Sequence, residues 1–272
     1  MMPASAPSLE GRVALVTGAN HGIGAATAVA LAGRGADVLV TYLRLDPPGD
    51  VSVDYAQQRA RDGSDVRSEI ERLGRRCVTF EADLTDAAVP AQVFESAESE
   101  LGPVSVLVHN ASGWRKDSFA AGGHDAVGRE QHPVTSATID AQLHVDARAG
   151  ALLMNEFIRR HRARGADWGR IVTMTSGAGG GFPGEVSYGA AKAALISFTL
   201  SAASEMAADG VTANVVYPPI TDTGWITDEV REFIAHDTEH HHVAAPDEVA
   251  GVVVWLCADA GRVVTGNVLR LR

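Results

Sequence analysis

The chain has 272 residues, 46% of them hydrophobic, and a formal net charge of −11. This length and apolar content are enough to bury one sizeable core. The acidic balance argues against nucleic acid or an anionic membrane as a partner, because both attract a basic face. We expect residues 1–10 to be a flexible N-terminus and residues 11–272 to form one domain.

The two cysteines, Cys77 and Cys257, are far apart and lack metal-ligand spacing, so we expect no disulfide framework. The first ten residues lack the basic start and apolar segment of a signal peptide. No later stretch supplies about 18 uninterrupted apolar residues for a membrane span. These features predict a cytoplasmic protein that is not exported.

Seven short apolar runs predict buried strands, and helical patterns lie between them. The predicted strands are residues 12–17, 37–42, 76–80, 104–109, 170–175, 211–217 and 267–271. Alternation of strand and helix predicts an α/β fold with a parallel sheet covered on both faces. Two segments, 45–65 and 113–135, are long for loops, and such loops are uncommon unless functional or mobile.

The first predicted strand runs into a glycine turn, residues 18–24, and then into an Ala-rich stretch that ends near Arg34. Glycine permits a tight turn and a close approach of the backbone to a pyrophosphate, and the following helix N-terminus can hold phosphates. The order strand, turn, helix therefore predicts a dinucleotide site on a single-domain, Rossmann-type doubly wound sheet. The spacing is Gly-x-x-x-Gly-x-Gly, which differs from the common Gly-x-Gly-x-x-Gly.

Tyr188 and Lys192 stand four residues apart in an Ala-rich segment, which places both on one face of a predicted helix. A free tyrosine has a pKa near 10, and a neighbouring lysine cation favours the phenolate. Thr175-Ser176 closes an apolar run shortly before them. Tyr188 is therefore a candidate general acid/base, although Tyr-x-x-x-Lys alone also arises by chance on helix surfaces.

Together these motifs resemble those of the short-chain dehydrogenase/reductase family, including its 3-oxoacyl reductases, from about Gly11 to Leu271. The resemblance implies that Ser176 binds the substrate oxygen and that Tyr188 transfers its proton. It implies that Lys192 lowers the phenol pKa and binds the nicotinamide ribose. Asp146 occupies the fourth, proton-relay position of the catalytic set, where relatives usually carry Asn. An acid there would weaken the effect of the lysine on the phenol.

The resemblance also implies a cofactor site. The residues expected to line it are Gly18, Asn20, His21, Gly22, Ile23, Gly24, Arg44, Asp83, Leu84, Asn110, Ala111, Ser112, Tyr188, Lys192, Pro218, Ile220 and Thr223.

Charge at the end of the second strand predicts which nucleotide is used. An acid that takes the ribose hydroxyls is typical of NAD sites, but no acid occurs here before Asp46. Arg44 could instead pair with a 2′-phosphate, assisted by protonated His21. We expect NADP(H), with NAD(H) possible. The alternative is that Arg44 points to solvent.

By resemblance, the function is an oxidoreductase that transfers hydride between nicotinamide and a small-molecule ketone or secondary alcohol, possibly a 3-oxoacyl thioester. The alternative is a catalytically weak cofactor-binding or sensing protein on the same fold. The resemblance further implies a homo-oligomer, a tetramer or a dimer.

Three further features have structural and functional interpretations. The segment Trp225–Val243 is a candidate substrate lid, with Trp225, Ile226, Phe233, Trp114 and Phe119 either lining the pocket or simply packing. A histidine-rich stretch within it is better explained by a solvated loop than by a metal site, so no metal is expected. Four arginines near a predicted helix end fit the helix dipole better than an anionic partner. The histidine stretch comprises His236, Glu239, His240, His241 and His242, and the arginines are Arg159, Arg160, Arg162 and Arg164.

Overall fold

Apolar, largely β-branched runs form the strands, since a parallel sheet covered on both faces has no polar side. The computed structural model describes residues 8–44, 53–120, 122–124, 130–177, 181–226, 228–235 and 242–272, without the side chains of 53, 54, 229, 233 and 235. The strands are β1 Val13–Thr17, β2 Asp37–Tyr42, β3 Cys77–Glu81, β4 Val104–His109, β5 Gly169–Met174, β6 Val211–Tyr217 and β7 Val268–Arg270.

Helices connect the strands and cover both faces of the sheet. They are α1 Gly22–Ala32, α2 Val53–Arg59, α3 Ser64–Arg72, α4 Val89–Glu100, α5 Ser136–Gln142, α6 Gly150–Ala163, α7 Val186–Glu205, α8 Asp228–Ala235 and α9 Pro246–Cys257. Side chains of α1, α3 and α9 form one core with the sheet. Side chains of α4, α6 and α7 form the other.

Within the described residues, the seven strands form one sheet in the order β3-β2-β1-β4-β5-β6-β7, and every pairing is parallel. The predicted Rossmann-type doubly wound sheet and its seven strands are confirmed. The strand order reverses between β1 and β4, and ligands of such sheets bind at the carboxyl ends of the strands near this point.

Two local expectations need correction, and one helix has an irregular segment. Leu9 is buried and its N–H donates to the carbonyl of Arg34, so the chain packs on the sheet before the predicted boundary at Gly11. The 45–65 segment is not a simple loop, because α2 and the start of α3 lie in it. The helix after β4 contains a π-helical segment, Leu143–Ala149, between α5 and α6.

The four arginines at the end of α6 have structural roles, as expected. They bind Glu156, Glu98, Asp209 and the carbonyl of Val104. None of the described helices is both long and apolar enough to cross a membrane.

Candidate active site

The glycine turn after β1 has the backbone geometry that the sequence predicted. Gly18 and Gly22 have φ of 62° and 57°, in the left-handed region that disfavours other residues. A Cβ on Gly24 would lie 2.2 Å from the carbonyl oxygen of Gly18. Only glycine therefore lets the start of α1 pack against the turn.

Side chains at the ends of β1 and β4 tie the glycine turn to the next strand. The hydroxyl of Thr17 accepts the N–H groups of Asn110 at 3.1 Å and Ala111 at 3.0 Å. The amide of Asn110 donates to the carbonyl of Gly18 at 2.9 Å. These bonds hold the floor of the candidate cofactor site in one shape.

A cavity of about 350 Å³ opens at this edge of the sheet. It collects most of the residues that the sequence assigned to the cofactor, and these are Gly18, Asn20, His21, Gly22, Ile23, Asp83, Leu84, Asn110, Ala111, Ser112 and Thr223. The lining does not include Gly24, Arg44, Tyr188, Lys192, Pro218 or Ile220.

Arg44 and His21 differ from their expected roles as phosphate partners. The guanidinium of Arg44 lies 2.7 Å from the carboxylate of Glu81 on the exposed edge of the sheet. The geometry favours the alternative that Arg44 points away from the cavity. Burial, with the charges of Arg59 and Arg61, lowers the pKa of His21 to about 4, so its ring is neutral near pH 7.

Tyr188 and Lys192 lie on α7, one turn apart, as predicted. The Nζ of Lys192 is 5.5 Å from the centre of the Tyr188 ring. Ser176 follows β5, and its hydroxyl lies near enough to the phenol to lower the pKa of Tyr188. The structure therefore brings the three candidate catalytic side chains together.

Lys192 has an ion-pair partner in Asp146, which lies on the π-helical segment. Its Nζ is 2.7 Å from Asp146 Oδ1, and both side chains are almost fully buried. The same ammonium donates to the carbonyl of Met174 at 2.9 Å. The second carboxylate oxygen accepts the N–H of Gly113 at 2.9 Å and the hydroxyl of Ser112 at 3.2 Å.

These surroundings keep the phenol of Tyr188 protonated. Its pKa is raised well above 10, first by burial and then by the negative charges of Asp146 and Glu185, while the hydroxyl of Ser176 acts in the opposite direction. The net direction is opposite to that expected from Lys192 alone, because burial and these negative charges all favour the protonated phenol.

Comparison with known proteins agrees with this geometry. A family model described as enoyl-(acyl carrier protein) reductase matches residues 18–271. A cyclohexanol dehydrogenase of Rhodococcus is 32% identical over 96% of this chain and 94% of its own length. A 3-oxoacyl-[acyl-carrier-protein] reductase of Salmonella typhimurium is 31% identical over 97% of both chains. The chain belongs to the short-chain dehydrogenase/reductase family.

A solved short-chain dehydrogenase of Burkholderia cenocepacia, in complex with NADP, has the same fold. Its TM-score is 0.76, at 31% identity, and the match covers 97% of both chains. This short-chain dehydrogenase/reductase therefore shares with it the sheet edge at which the cavity opens.

The proposed lid residues do not all reach the cavity. Trp114 lines it, but Phe119 is 84% exposed and contributes nothing to it, which corrects that expectation. Trp225 does not line the cavity, and its indole donates to the carbonyl of Thr221 at 3.0 Å, which is a structural role. Ile226 is partly buried, and the side chain of Phe233 lies outside the described part.

Part of the histidine stretch, residues 236–241, also lies outside the described part of the chain. His242 is 3.7 Å from Glu248. Among the described residues no group of three or more His, Cys, Asp or Glu side chains is arranged to hold a metal ion.

Sequence reasoning missed several residues at the site. Tyr55 and Arg59 of α2, and Arg115 after β4, line the cavity, and the ring of Phe182 lies 5.9 Å from that of Tyr188. The signal for α2 was weak, because it is only seven residues long and follows a segment rich in Pro, Gly and Asp.

Proposed function

We propose that this short-chain dehydrogenase/reductase is an NADP(H)-dependent enzyme that interconverts a ketone and a secondary alcohol. The observation that carries the proposal is the grouping of Ser176, Tyr188 and Lys192. The Lys192–Asp146 pair is bound by Ser112 and Gly113, which themselves line the cavity. Asp146 thus connects the candidate catalytic side chains to the wall of the candidate dinucleotide site.

The residues of the cavity fit a dinucleotide. The N-terminus of α1 begins at Gly22 with no acidic side chain in its first turn, which suits a pyrophosphate. Arg59 lines the same cavity and has a buried nitrogen, Nη1, without a hydrogen-bond partner among the described residues. A phosphate-bearing ligand would use both features.

The raised pKa of Tyr188 suits proton donation, and therefore carbonyl reduction, near neutral pH. In this proposal Ser176 binds the carbonyl oxygen of the substrate, and Tyr188 donates its proton to that oxygen. Lys192 holds the carbonyl of Met174 and, through it, the end of β5 next to Ser176. A bound nicotinamide supplies the hydride that the carbonyl carbon requires.

NADP(H) is favoured over NAD(H) for two reasons. No acid follows β2 before Asp46, where one would take the ribose hydroxyls of NAD. The similar Burkholderia dehydrogenase was solved with NADP. For the substrate, the similarity to both a cyclohexanol dehydrogenase and a 3-oxoacyl reductase supports a cyclic ketone or a 3-oxoacyl thioester.

The decisive experiment follows NADPH absorbance with a panel of cyclic ketones, 3-oxoacyl thioesters and quinones, with NADH in a parallel series. We expect NADPH oxidation with at least one ketone or oxoacyl thioester, and faster turnover than with NADH. Tight NADPH binding without oxidation by any member of the panel contradicts a reductase.

One observation favours a second candidate, a cofactor-sensing protein. Asp146 neutralises Lys192 and raises the pKa of Tyr188, both of which weaken catalysis by a phenolate. Under this alternative NADPH binds with micromolar or better affinity and every substrate fails, whereas Asp146→Asn restores some turnover because it removes the charge that opposes Lys192.

A homo-oligomer is part of the proposal. Three large apolar side chains are partly exposed on separate elements: Phe198 of α7, Trp255 of α9 and Val268 of β7, at 44%, 39% and 44% exposure. The support for an oligomer is the family to which the chain belongs. Sedimentation equilibrium measures the oligomeric state directly, and a monomer at micromolar concentration contradicts the proposed homo-oligomer.

A further inference from the structure

Among the described residues, no acidic side chain forms an ion pair with Arg59, which is buried. Arg59 is only 7% exposed, and its Nη1 has no hydrogen-bond partner among the described residues. The charged and polar groups that act on it are Tyr55, whose ring centre is 5.7 Å from the guanidinium carbon, and Arg115, which adds like charge. Burying a guanidinium without a counter-ion is costly, so the residue is placed for a reason other than stability.

The helix that carries Arg59 lies against the cavity, which Tyr55 and Arg59 both line. At one end, the side chain of Asn20 in the glycine turn donates to the carbonyl of Arg61 at 2.9 Å. The rings of His21 and Tyr55 meet edge to face at 6.0 Å between centres. On the other side, a Cβ on Gly224 would lie 2.6 Å from Gln58 Nε2. Helix α2 thus contacts both the glycine turn and the segment after β6.

Among the described residues that line the cavity, cations outnumber acids. Arg59 and Arg115 both line it, while His21 is neutral near pH 7. Asp83 is the acidic residue of the lining, and it is exposed after β3, where its carboxylate accepts the N–H of Thr85 at 2.8 Å. The part of the cavity between the glycine turn and α2 is therefore positively charged, and the anion that suits it is a phosphate group.

We propose that Arg59, on the helix inserted after β2, binds a phosphate group of the dinucleotide, so that α2 forms the outer wall of the phosphate site. The inference rests on the proposed function, since it requires that this cavity receive a dinucleotide. It assigns to Arg59 the phosphate contact that the sequence had suggested for Arg44. The phosphate is either the pyrophosphate, common to both nucleotides, or the 2′-phosphate of NADP.

The test measures dissociation constants of NADP⁺ and NAD⁺ by calorimetry for the parent, Arg59→Gln and Arg59→Lys. The matched control is Arg61→Gln, which makes the same charge change two residues away on an exposed side chain outside the cavity lining. Loss of a charge-assisted phosphate contact should weaken binding by roughly ten- to a hundredfold in Arg59→Gln. The affinity of Arg59→Lys should lie between those of the parent and Arg59→Gln, because lysine keeps the positive charge but lacks the forked donors of arginine.

The two nucleotides distinguish the phosphates. Equal weakening for NADP⁺ and NAD⁺ identifies the pyrophosphate, and weakening for NADP⁺ alone identifies the 2′-phosphate. Either result supports the proposal if Arg61→Gln stays within about threefold of the parent at the same ionic strength. An equal loss in Arg61→Gln indicates a diffuse charge effect and overturns it.

Thermal unfolding without nucleotide separates binding from structure. Arg59→Gln should unfold at the same or a higher temperature than the parent, because it removes an uncompensated buried charge. Dissociation constants within twofold of the parent for both nucleotides, or a lower unfolding temperature with unchanged binding, overturn the role of Arg59 while leaving the proposed function intact. Failure of the parent itself to bind either nucleotide overturns both.

Discussion

The Nζ of Lys192 lies 2.7 Å from Asp146 Oδ1, and both side chains are almost fully excluded from solvent. The second oxygen of Asp146 accepts hydrogen bonds from Ser112 and Gly113. Position 146, where relatives usually carry Asn, and Ser112 are therefore joined by a hydrogen bond. The carboxylate of Asp146 therefore balances the positive charge of Lys192, next to the candidate catalytic Tyr188.

Removing the charge of Asp146 should lower the pKa of Tyr188. Asp146 raises that pKa in the folded protein, so Asp146→Asn takes away one of its causes. In the oxidative direction Tyr188 acts as a base, and the rising limb of kcat/KM should move to lower pH. Superimposable pH profiles for the parent and Asp146→Asn would show that Asp146 does not influence the pKa of Tyr188.

Removing only the lysine should destabilise the fold. Lys192→Met leaves the carboxylate of Asp146 buried without its cation, and such losses cost about 3–5 kcal/mol. The double variant with Asp146→Asn should recover much of this, since neither charge remains. Urea unfolding of the parent, Lys192→Met, Asp146→Asn and the double variant gives the coupling free energy between positions 192 and 146. Additive changes in the free energy of unfolding contradict a stabilising ion pair.

Tyr188→Phe should abolish turnover and leave nucleotide binding within about threefold, because it removes a proton donor and little contact area. General acid catalysis contributes roughly a hundred- to ten-thousandfold, so a loss of that size is expected. Steady-state rates and nucleotide dissociation constants of the parent and Tyr188→Phe test this prediction. Activity within tenfold of the parent rules out the proton-donor role.

Arg44→Gln should leave the ratio of NADP⁺ to NAD⁺ affinity unchanged. The guanidinium of Arg44 is bound to Glu81 on the exposed sheet edge and does not line the cavity. Fluorescence titration with both nucleotides measures the ratio. A shift toward NAD⁺ of tenfold or more would return the nucleotide-selecting role to Arg44.

Gly24→Ala should damage the dinucleotide site before the rest of the fold. Its methyl group would meet the carbonyl oxygen of Gly18 at 2.2 Å and the amide of Asn110 at 2.6 Å, so the turn must shift. We expect at least a tenfold weaker NADP⁺ affinity. Gly251→Ala is the matched control, because nothing lies within 4 Å of the added atom and the position is helical. Equal nucleotide affinities in the two variants contradict this role for the turn.

Local signals were sufficient for the frame of the site. The strand β1, the glycine turn and α1 are contiguous in the chain, so their order and spacing alone predicted a dinucleotide site. Tyr188 and Lys192 are likewise one helical turn apart, and helix geometry places them on one face whatever the surroundings.

Electrostatic balance could not be predicted in the same way. The pKa of Tyr188 depends on burial and on the distance to Asp146, which comes from another segment of the chain. The sequence suggested that Asp146 could oppose Lys192, but only the fold decided that the two charges meet at 2.7 Å.

The sequence by itself thus determined the class of the fold, the glycine turn and the Tyr-Lys pair, because each depends on short-range periodicity or spacing. Only the tertiary structure decided which arginine faces the cavity. Arg44 ends beside Glu81 because β2 and β3 are neighbouring strands, whereas Arg59 is turned inward by a helix that the composition of its segment concealed. Contacts between residues distant in the chain depend on how the elements pack, and no pattern within a single element records that packing.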